Sequence, residues 1–248
     1  MAESGDDVPA LEVQRLTAGY GPLAVIHDVS FRVASGEIVG LLGRNGAGKT
    51  TTLLAIAGFL GKYQGDVLVD GQALDGPSYR RARGRVGIVL EGRSTFPSLT
   101  VSQNLTLAGA DLDESLELFP ELQPKLDVRA GLLSGGEQQM LALARTISRR
   151  PSVLLIDEVS FGLAPIVCER IFERLRAVVT TTSIAMLVVE QHIHYAESVV
   201  DRALIMNEGA IRAEMTGAEL AAREDEVEHL YLGAVDEMLD GPTSSTVG

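Results

Sequence analysis

The residues most able to do chemistry begin at Gly43-Arg44-Asn45-Gly46-Ala47-Gly48-Lys49-Thr50. Their form is G-x-x-x-x-G-K-[ST], a backbone loop that wraps an anion when it joins a strand to a helix. Gly43, Gly46 and Gly48 let the chain turn its N–H groups inward, and Asn45, Ala47 and Thr51 complete the cradle. Lys49 supplies a mobile cation for outer phosphates, and the hydroxyl of Thr50 suits a hard divalent ion. A helix starting at Lys49 aims its positive end at the same point. The expected ligand is a polyphosphate. Local donors hold it, whatever the sign of the whole chain.

Three further strings join this loop. Ser152 to Glu158, SVLLIDE, ends an apolar run on two carboxylates. Asp157 fits a metal shell, and Glu158 the orientation or deprotonation of an attacking water. Leu133 to Gln139, LSGGEQQ, places Ser134, Gly135 and Gly136 at the start of a helix, which makes a second anion socket. One nucleotide does not need two sockets from one chain, so the second is expected to serve the nucleotide of a partner. The stretch VVEQHIHY, residues 188–195, closes a strand-like run with a carboxylate, a carboxamide and two imidazoles. It admits a metal nest, a proton-handling site or a sensor of bound ligand. His192 and His194 share a face only if the strand continues through them. The other histidines, His27 and His229, show no sign of converging on them.

The elements that must position these groups follow from periodicity. Segments 11–20 and 25–33 have β character, with Val29, Phe31 and Val33 alternating with Ser30 and Arg32. Short apolar runs at 38–42, 86–90, 153–156 and 184–189 read as buried strands. Helical patterns run from Lys49 to about Phe59, from Gly136 to Arg150, from Ile166 to Val178 and over 217–231. Residues 98–130 are mostly helical, broken by Pro120 and Pro124. Asp70-Gly71 and Asn207-Glu208-Gly209 mark turns, the latter in a hairpin. Strands alternating with helices predict an α/β fold whose mostly parallel sheet is covered on both faces.

Composition sets the outer limits. The chain has 248 residues, 46% hydrophobic and 22% charged, enough for one substantial core. A net charge of −13 argues against nucleic acid or an anionic membrane surface as a general partner. The basic knot Arg80-Arg81-Ala82-Arg83-Gly84-Arg85 carries no interleaved aromatics and reads as a solvated approach to a strand. No apolar run approaches the roughly 20 residues that span a bilayer. The acidic first residues, MAESGDDVPA, lack the apolar core of a secretory signal. Cys168, the single cysteine, sits among Ile166, Val167, Ile171 and Phe172 at helical spacing and is expected to be buried.

Taken together, GRNGAGKT, VLLIDE and LSGGEQQ resemble the ATP-binding-cassette (ABC) ATPases over residues 11–233. The resemblance implies a P-loop NTPase of ABC-ATPase type. Its parallel core would carry an N-terminal antiparallel β subdomain and an inserted helical subdomain at about 92–132, between a flexible leader (1–10) and a flexible tail (234–248). It implies ATP and Mg²⁺, with two subunits associated head to tail so that each ATP lies between one P-loop and the other's LSGGEQQ. It also implies that Tyr20 in LTAGYG stacks on adenine. VGIVLEGRSTFPSLTVSQNL would link the nucleotide site to the helical lobe and contact a transport channel, with Glu91 beside the metal.

Three positions depart from the family's usual wording. Glu91 stands for the common Gln, Ala164 for an Asp, and Gln191 for the His that touches the γ-phosphate, so Gln191 is expected to sense that phosphate, with the adjacent His192 as the alternative. LEGR, SFGLAP and VVEQ, with LFPELQPKLDVRAGLLSGGEQQMLALAR, resemble the second ATPase of branched-chain amino-acid importers. That implies a cytoplasmic subunit, peripheral on the inner membrane face. It would work with a second ATPase subunit and permease subunits, and indirectly with an extracytoplasmic solute-binding protein. Close relatives serve urea and short amides, and a regulatory or non-transport ABC protein is the other reading. Val159, where the family has Pro, is expected to leave the turn after Glu158 less constrained.

Overall fold

A computed structural model describes residues 8–81, 85–90, 92, 94–191, 194 and 198–222. In chain order the elements are β1 (Leu11–Tyr20), β2 (Leu23–Val33), β3 (Ile38–Leu42), α1 (Lys49–Ile56), β4 (Lys62–Val69), β5 (Gln72–Ala73), α2 (Ser78–Arg81) and β6 (Val86–Val89). Then come α3 (Val101–Ala108), α4 (Leu112–Leu118), 3₁₀ turns at Pro120–Lys125 and Ala130–Leu132, α5 (Gly135–Ile147) and β7 (Val153–Asp157). The series ends with α6 (Pro165–Thr181), β8 (Ala185–Glu190), β9 (Arg202–Asn207), β10 (Ala210–Thr216) and α7 (Gly217–Ala222). Leader residues 1–7, tail residues 234–248, and the sites Glu91 and His192 lie outside the described residues. Ala10 is already buried, and its carbonyl accepts the Asp70 N–H.

Two sheets form. The order β2-β1-β4-β5 is antiparallel throughout, and the order β10-β9-β3-β8-β7-β6 is parallel except for the β9–β10 hairpin. The mixed α/β architecture expected from the strand–helix alternation is therefore present. The hairpin turns at Glu208 and Gly209, both with positive φ, as the Asn-Glu-Gly signal implied. The continuous apolar runs have a direct cause. Ile38, Leu42, Leu154, Ile156, Met186 and Val188 face one core cluster, under α5 and α6. Val39, Leu41, Val153, Leu155, Leu187 and Val189 face the other, under the antiparallel sheet and α1. Strands buried on both faces cannot alternate apolar with polar.

The helix read to about Phe59 stops at Ile56, because Gly58 adopts φ 78° and the Phe59 N–H turns back to the Leu54 carbonyl. The final helix is described only as far as Ala222. Cys168 is buried. In the basic knot, Arg85 donates to the Gln72 side chain at 2.6 Å, while residues 82–84 fall outside the described set.

Parallel pairing brings the carboxyl ends of β3, β7 and β8 to one edge. Register places Leu42 beside Glu190 and Asp157 beside Val189. Whatever follows these strands must therefore converge there, as ligand-binding loops of open α/β sheets do.

Candidate active site

The loop after β3 is built by close approach. A Cβ on Gly43 would lie 2.3 Å from the Met206 carbonyl oxygen, and one on Gly48 2.8 Å from the Ile26 side chain. Gly46 and Gly48 have φ of 84° and 107°, the left-handed region that glycine reaches without steric cost. The β9–β10 turn braces the loop from outside. Gly209 N–H donates to the Ala47 carbonyl at 2.9 Å, and its own carbonyl accepts from His27 N–H at 2.8 Å. This cradle and the α1 N-terminus fit a polyphosphate.

Lys49 is 4% exposed and lies along the loop, its Nζ donating to the carbonyls of Gly43 at 2.7 Å and Arg44 at 3.2 Å. Burial draws its pKa below the usual ammonium range, while the carboxylates of Glu158, Asp157 and Glu190 oppose that shift. Thr50 Oγ1 donates to Asp157 Oδ1 at 3.3 Å, so the hydroxyl and carboxylate picked out for a metal stand together. Two hard oxygen donors in contact fit Mg²⁺, which would neutralise charge on phosphate oxygens when bound. Thr51 is buried on the first turn of α1.

Glu158 takes φ 45°, a conformation that costs a residue with a side chain of order 1–3 kcal/mol. Its N–H donates to the Val189 carbonyl at 3.0 Å. Two residues on, Ser160 is held by Glu190: its N–H reaches Oε1 at 3.0 Å, and its hydroxyl Oε2 at 2.6 Å. Val159 between them is 1% exposed and belongs to the main core. The looser turn expected without proline is thus countered by burial of the Val159 side chain and by anchors on either side.

Glu190 is the carboxylate of the VVEQ string, and nothing in that string points to Ser160 as its partner. It is 1% exposed, and burial raises its pKa to about 7. The Ser160 hydrogen bonds oppose the rise, the Glu158 charge adds to it, and the Gln191 N–H opposes it. A carboxyl whose folded pKa lies above its unfolded value of 4.5 binds its proton more tightly in the folded chain. Its contribution to stability is full below that unfolded value and is lost as pH rises through about 7. Glu190→Gln removes this dependence. Melting curves from pH 5 to 8 should show the variant gaining on the wild type by about 1–3 kcal/mol at the alkaline end, at about 1.4 kcal/mol per pKa unit. Parallel pH profiles for the two proteins would contradict it.

Ser134 is the N-cap of α5 and is exposed. Its hydroxyl accepts the Glu137 N–H at 3.3 Å, while Glu137 Oε2 accepts the Ser134 N–H at 2.8 Å, a reciprocal capping box. Gly135 is exposed. Gly136 is buried, and a Cβ there would meet the Val167 side chain at 2.6 Å. Its missing side chain is therefore required by the packing of α5 on α6, a cause that the socket reading did not contain. Tyr20 ends β1 half-exposed, Asn45 is exposed, and Gln191 directly follows β8.

A glycine cradle with a buried lysine, a hydroxyl–carboxylate pair and a glutamate beyond the same strand define a P-loop nucleotide hydrolase. Comparison with known proteins narrows this. The ABC transporter family pattern matches residues 26–160. The branched-chain amino-acid transport ATP-binding protein BraG of Pseudomonas aeruginosa is 39% identical over 90% of this chain and 99% of its own length. The probable branched-chain amino-acid transport ATP-binding protein LivF of Archaeoglobus fulgidus is 32% identical over 91% and 100%. ATP-binding proteins of Nod factor and lipopolysaccharide export also match, at 32–35% identity. The fold is that of an ATP-binding cassette of an ABC transporter solved in its ADP conformation, with TM-score 0.79 over 91% of this chain and 99% of that one at 21% identity. The chain belongs to the ABC transporter family, as an ATP-binding, ATP-hydrolysing subunit. Such subunits form dimers and work with transmembrane permeases, and no described helix here is long and apolar enough to cross a membrane.

Proposed function

We propose that this subunit powers a membrane importer of branched-chain or related hydrophobic amino acids from the inner face of the membrane. The observation carrying the reading is its 39% identity to BraG over nearly all of that protein. The LEGR, SFGLAP and VVEQ wording supports the same branch. In this reading ATP lies on the 43–50 loop, with Lys49 on its outer phosphates, Thr50, Asp157 and Glu91 around Mg²⁺, and Tyr20 against adenine. Glu158 directs the attacking water, and Gln191 senses the γ-phosphate. The matching signature loop of a second ATPase subunit, the same chain or a sister one, closes this site, while Ser134, Gly135 and Gly136 of this chain close the other; ATP draws the pair together and hydrolysis releases it.

The permease subunits would dock at a groove of about 500 Å³ between the central sheet and the helical segment. Phe59, Ile88, Phe96 and Leu107 line it, and Phe59, Phe96 and Leu107 are each at least 46% exposed. Arg145 of α5 fixes its wall: the guanidinium lies 4.9 Å over the Phe96 ring, and it donates to the carbonyls of Ser94 and Asn104. The linking loop thus shares a wall with the groove that would receive a partner.

The test is reconstitution in proteoliposomes with the permease subunits and the solute-binding protein. ATP-dependent uptake of labelled leucine, isoleucine or valine is the expected result. Uptake of urea or a short amide instead would reassign the solute, and outward movement of a lipid-linked saccharide would reassign the direction.

A further inference from the structure

The turn after β7 is tied to β8 at two positions. Residues 158 and 160 are anchored on consecutive residues of β8: Glu158 N–H on the Val189 carbonyl at 3.0 Å, Ser160 on the Glu190 carboxyl. Ser160 uses every polar group it has. Its carbonyl accepts the Leu163 N–H at 3.2 Å and the Cys168 thiol at 3.7 Å, which extends the tie to α6.

Packing does not call for a carboxyl at this place. Met186 and Val188, which precede Glu190 on the same face of β8, are apolar and fully buried in the main core. A buried carboxyl is unfavourable unless it is hydrogen-bonded. Those bonds end on the turn that carries Glu158, and Gln191 follows Glu190 by one peptide link. One carboxyl therefore sets the reference point for Glu158 and Gln191, the two groups that the proposed function puts at the γ-phosphate.

We propose that Glu190 is a positioning residue for ATP hydrolysis: its clamp on Ser160 holds the left-handed turn at Glu158, so that the Glu158 carboxylate meets the attacking water. This rests on Glu158 being the group that directs that water. The clamp makes no hydrogen bond to the 43–50 loop, but the Glu190 charge is felt at Lys49, so Ser160→Ala, which keeps that charge, is the variant that separates turnover from ATP affinity.

The test compares turnover, ATP affinity and melting temperature for Ser160→Ala, Glu190→Ala, Glu190→Gln and the double alanine variant, with Glu158→Gln in the same assay. Ser160→Ala and Glu190→Ala are each expected to lower kcat by about 10–100-fold, the scale set by small misplacements of a reacting group. The affinity of Ser160→Ala for ATP should stay within about twofold of wild type, the pattern of a group felt only in the reaction step. Glu190→Gln, which keeps the shape and one acceptor, should recover most of the turnover lost in Glu190→Ala. The double variant should be no slower than the slower single one, because both break the same contact.

Unchanged kcat in Ser160→Ala, losses that multiply in the double variant, or Ser160→Ala affinity falling in step with its kcat would each overturn the clamp. Should Glu190→Ala not fold, Ser160→Ala decides alone. A slow Glu158→Gln beside a fast Ser160→Ala removes the clamp only. A Glu158→Gln enzyme turning over at the wild-type rate removes the assignment of Glu158, and the clamp with it.

Discussion

Glu158→Gln is expected to slow ATP hydrolysis by about 10²–10⁴-fold, the usual span for losing a general base. ATP binding should survive. The reason lies in how the residue is held. Glu158 keeps its left-handed backbone through its N–H bond to Val189 and through the Ser160–Glu190 contact, and neither involves its own side chain. Gln has the same shape and reach, so the substitution changes the proton-accepting oxygen and little else. The Lys49 hydrogen bonds and the Thr50–Asp157 pair do not use the Glu158 side chain, and Asp157 and Glu190 still act on Lys49 when the Glu158 charge is removed. Binding without turnover should hold the closed pair. Gel filtration of the variant with ATP is expected to run at the size of a dimer, and single-turnover measurements should show the slow step to be cleavage. A variant that hydrolyses at the wild-type rate, or stays monomeric with ATP, would show that Glu158 does not direct the attack.

The parts of this site that could be read from the chain are those the chemistry makes contiguous. A phosphate loop needs its glycines, lysine and hydroxyl in one run, and a carboxylate pair must sit where a buried strand meets solvent. Hence 43–50, Asp157 and Glu158 stood out, and pairing of the parallel strands then brought them to one edge. Contacts across the sheet leave no such run. Ser160 and Glu190 are 30 residues apart, and only the fold joins the turn after β7 to the end of β8. One local signal was available: period-two alternation through Met186 and Val188 puts Glu190 on the core face, where a carboxyl must have a partner. Gly136 shows the reverse limit. Its presence was plain, yet the need for it comes from Val167 on another helix. Gly58, at φ 78°, follows the end of α1 at Ile56, whereas the apolar pattern alone runs on to Phe59.

Lys49→Ala is expected to weaken ATP binding by about 10–150-fold, the affinity carried by a hydrogen bond to a charged group worth roughly 1.5–3 kcal/mol. The ammonium sits on two neutral acceptors, the Gly43 and Arg44 carbonyls, at the floor of the cradle. Phosphate oxygens arriving there would replace neutral acceptors with anionic ones, inside a site where burial already disfavours the isolated charge. The gain is therefore largest when nucleotide is present, and removal of the lysine should be felt as lost affinity. Thermal melting gives a direct readout. At ATP a hundred times above the wild-type Kd, ligand stabilises the wild type by about 2.7 kcal/mol. A variant binding between about 10 and 150 times more weakly gains only about 0.3–1.4 kcal/mol at that concentration. The shift in Tm on adding ATP should shrink accordingly. An unchanged shift would mean that the loop's own N–H groups and the α1 terminus hold the nucleotide, and that Lys49 serves only to close the loop on itself.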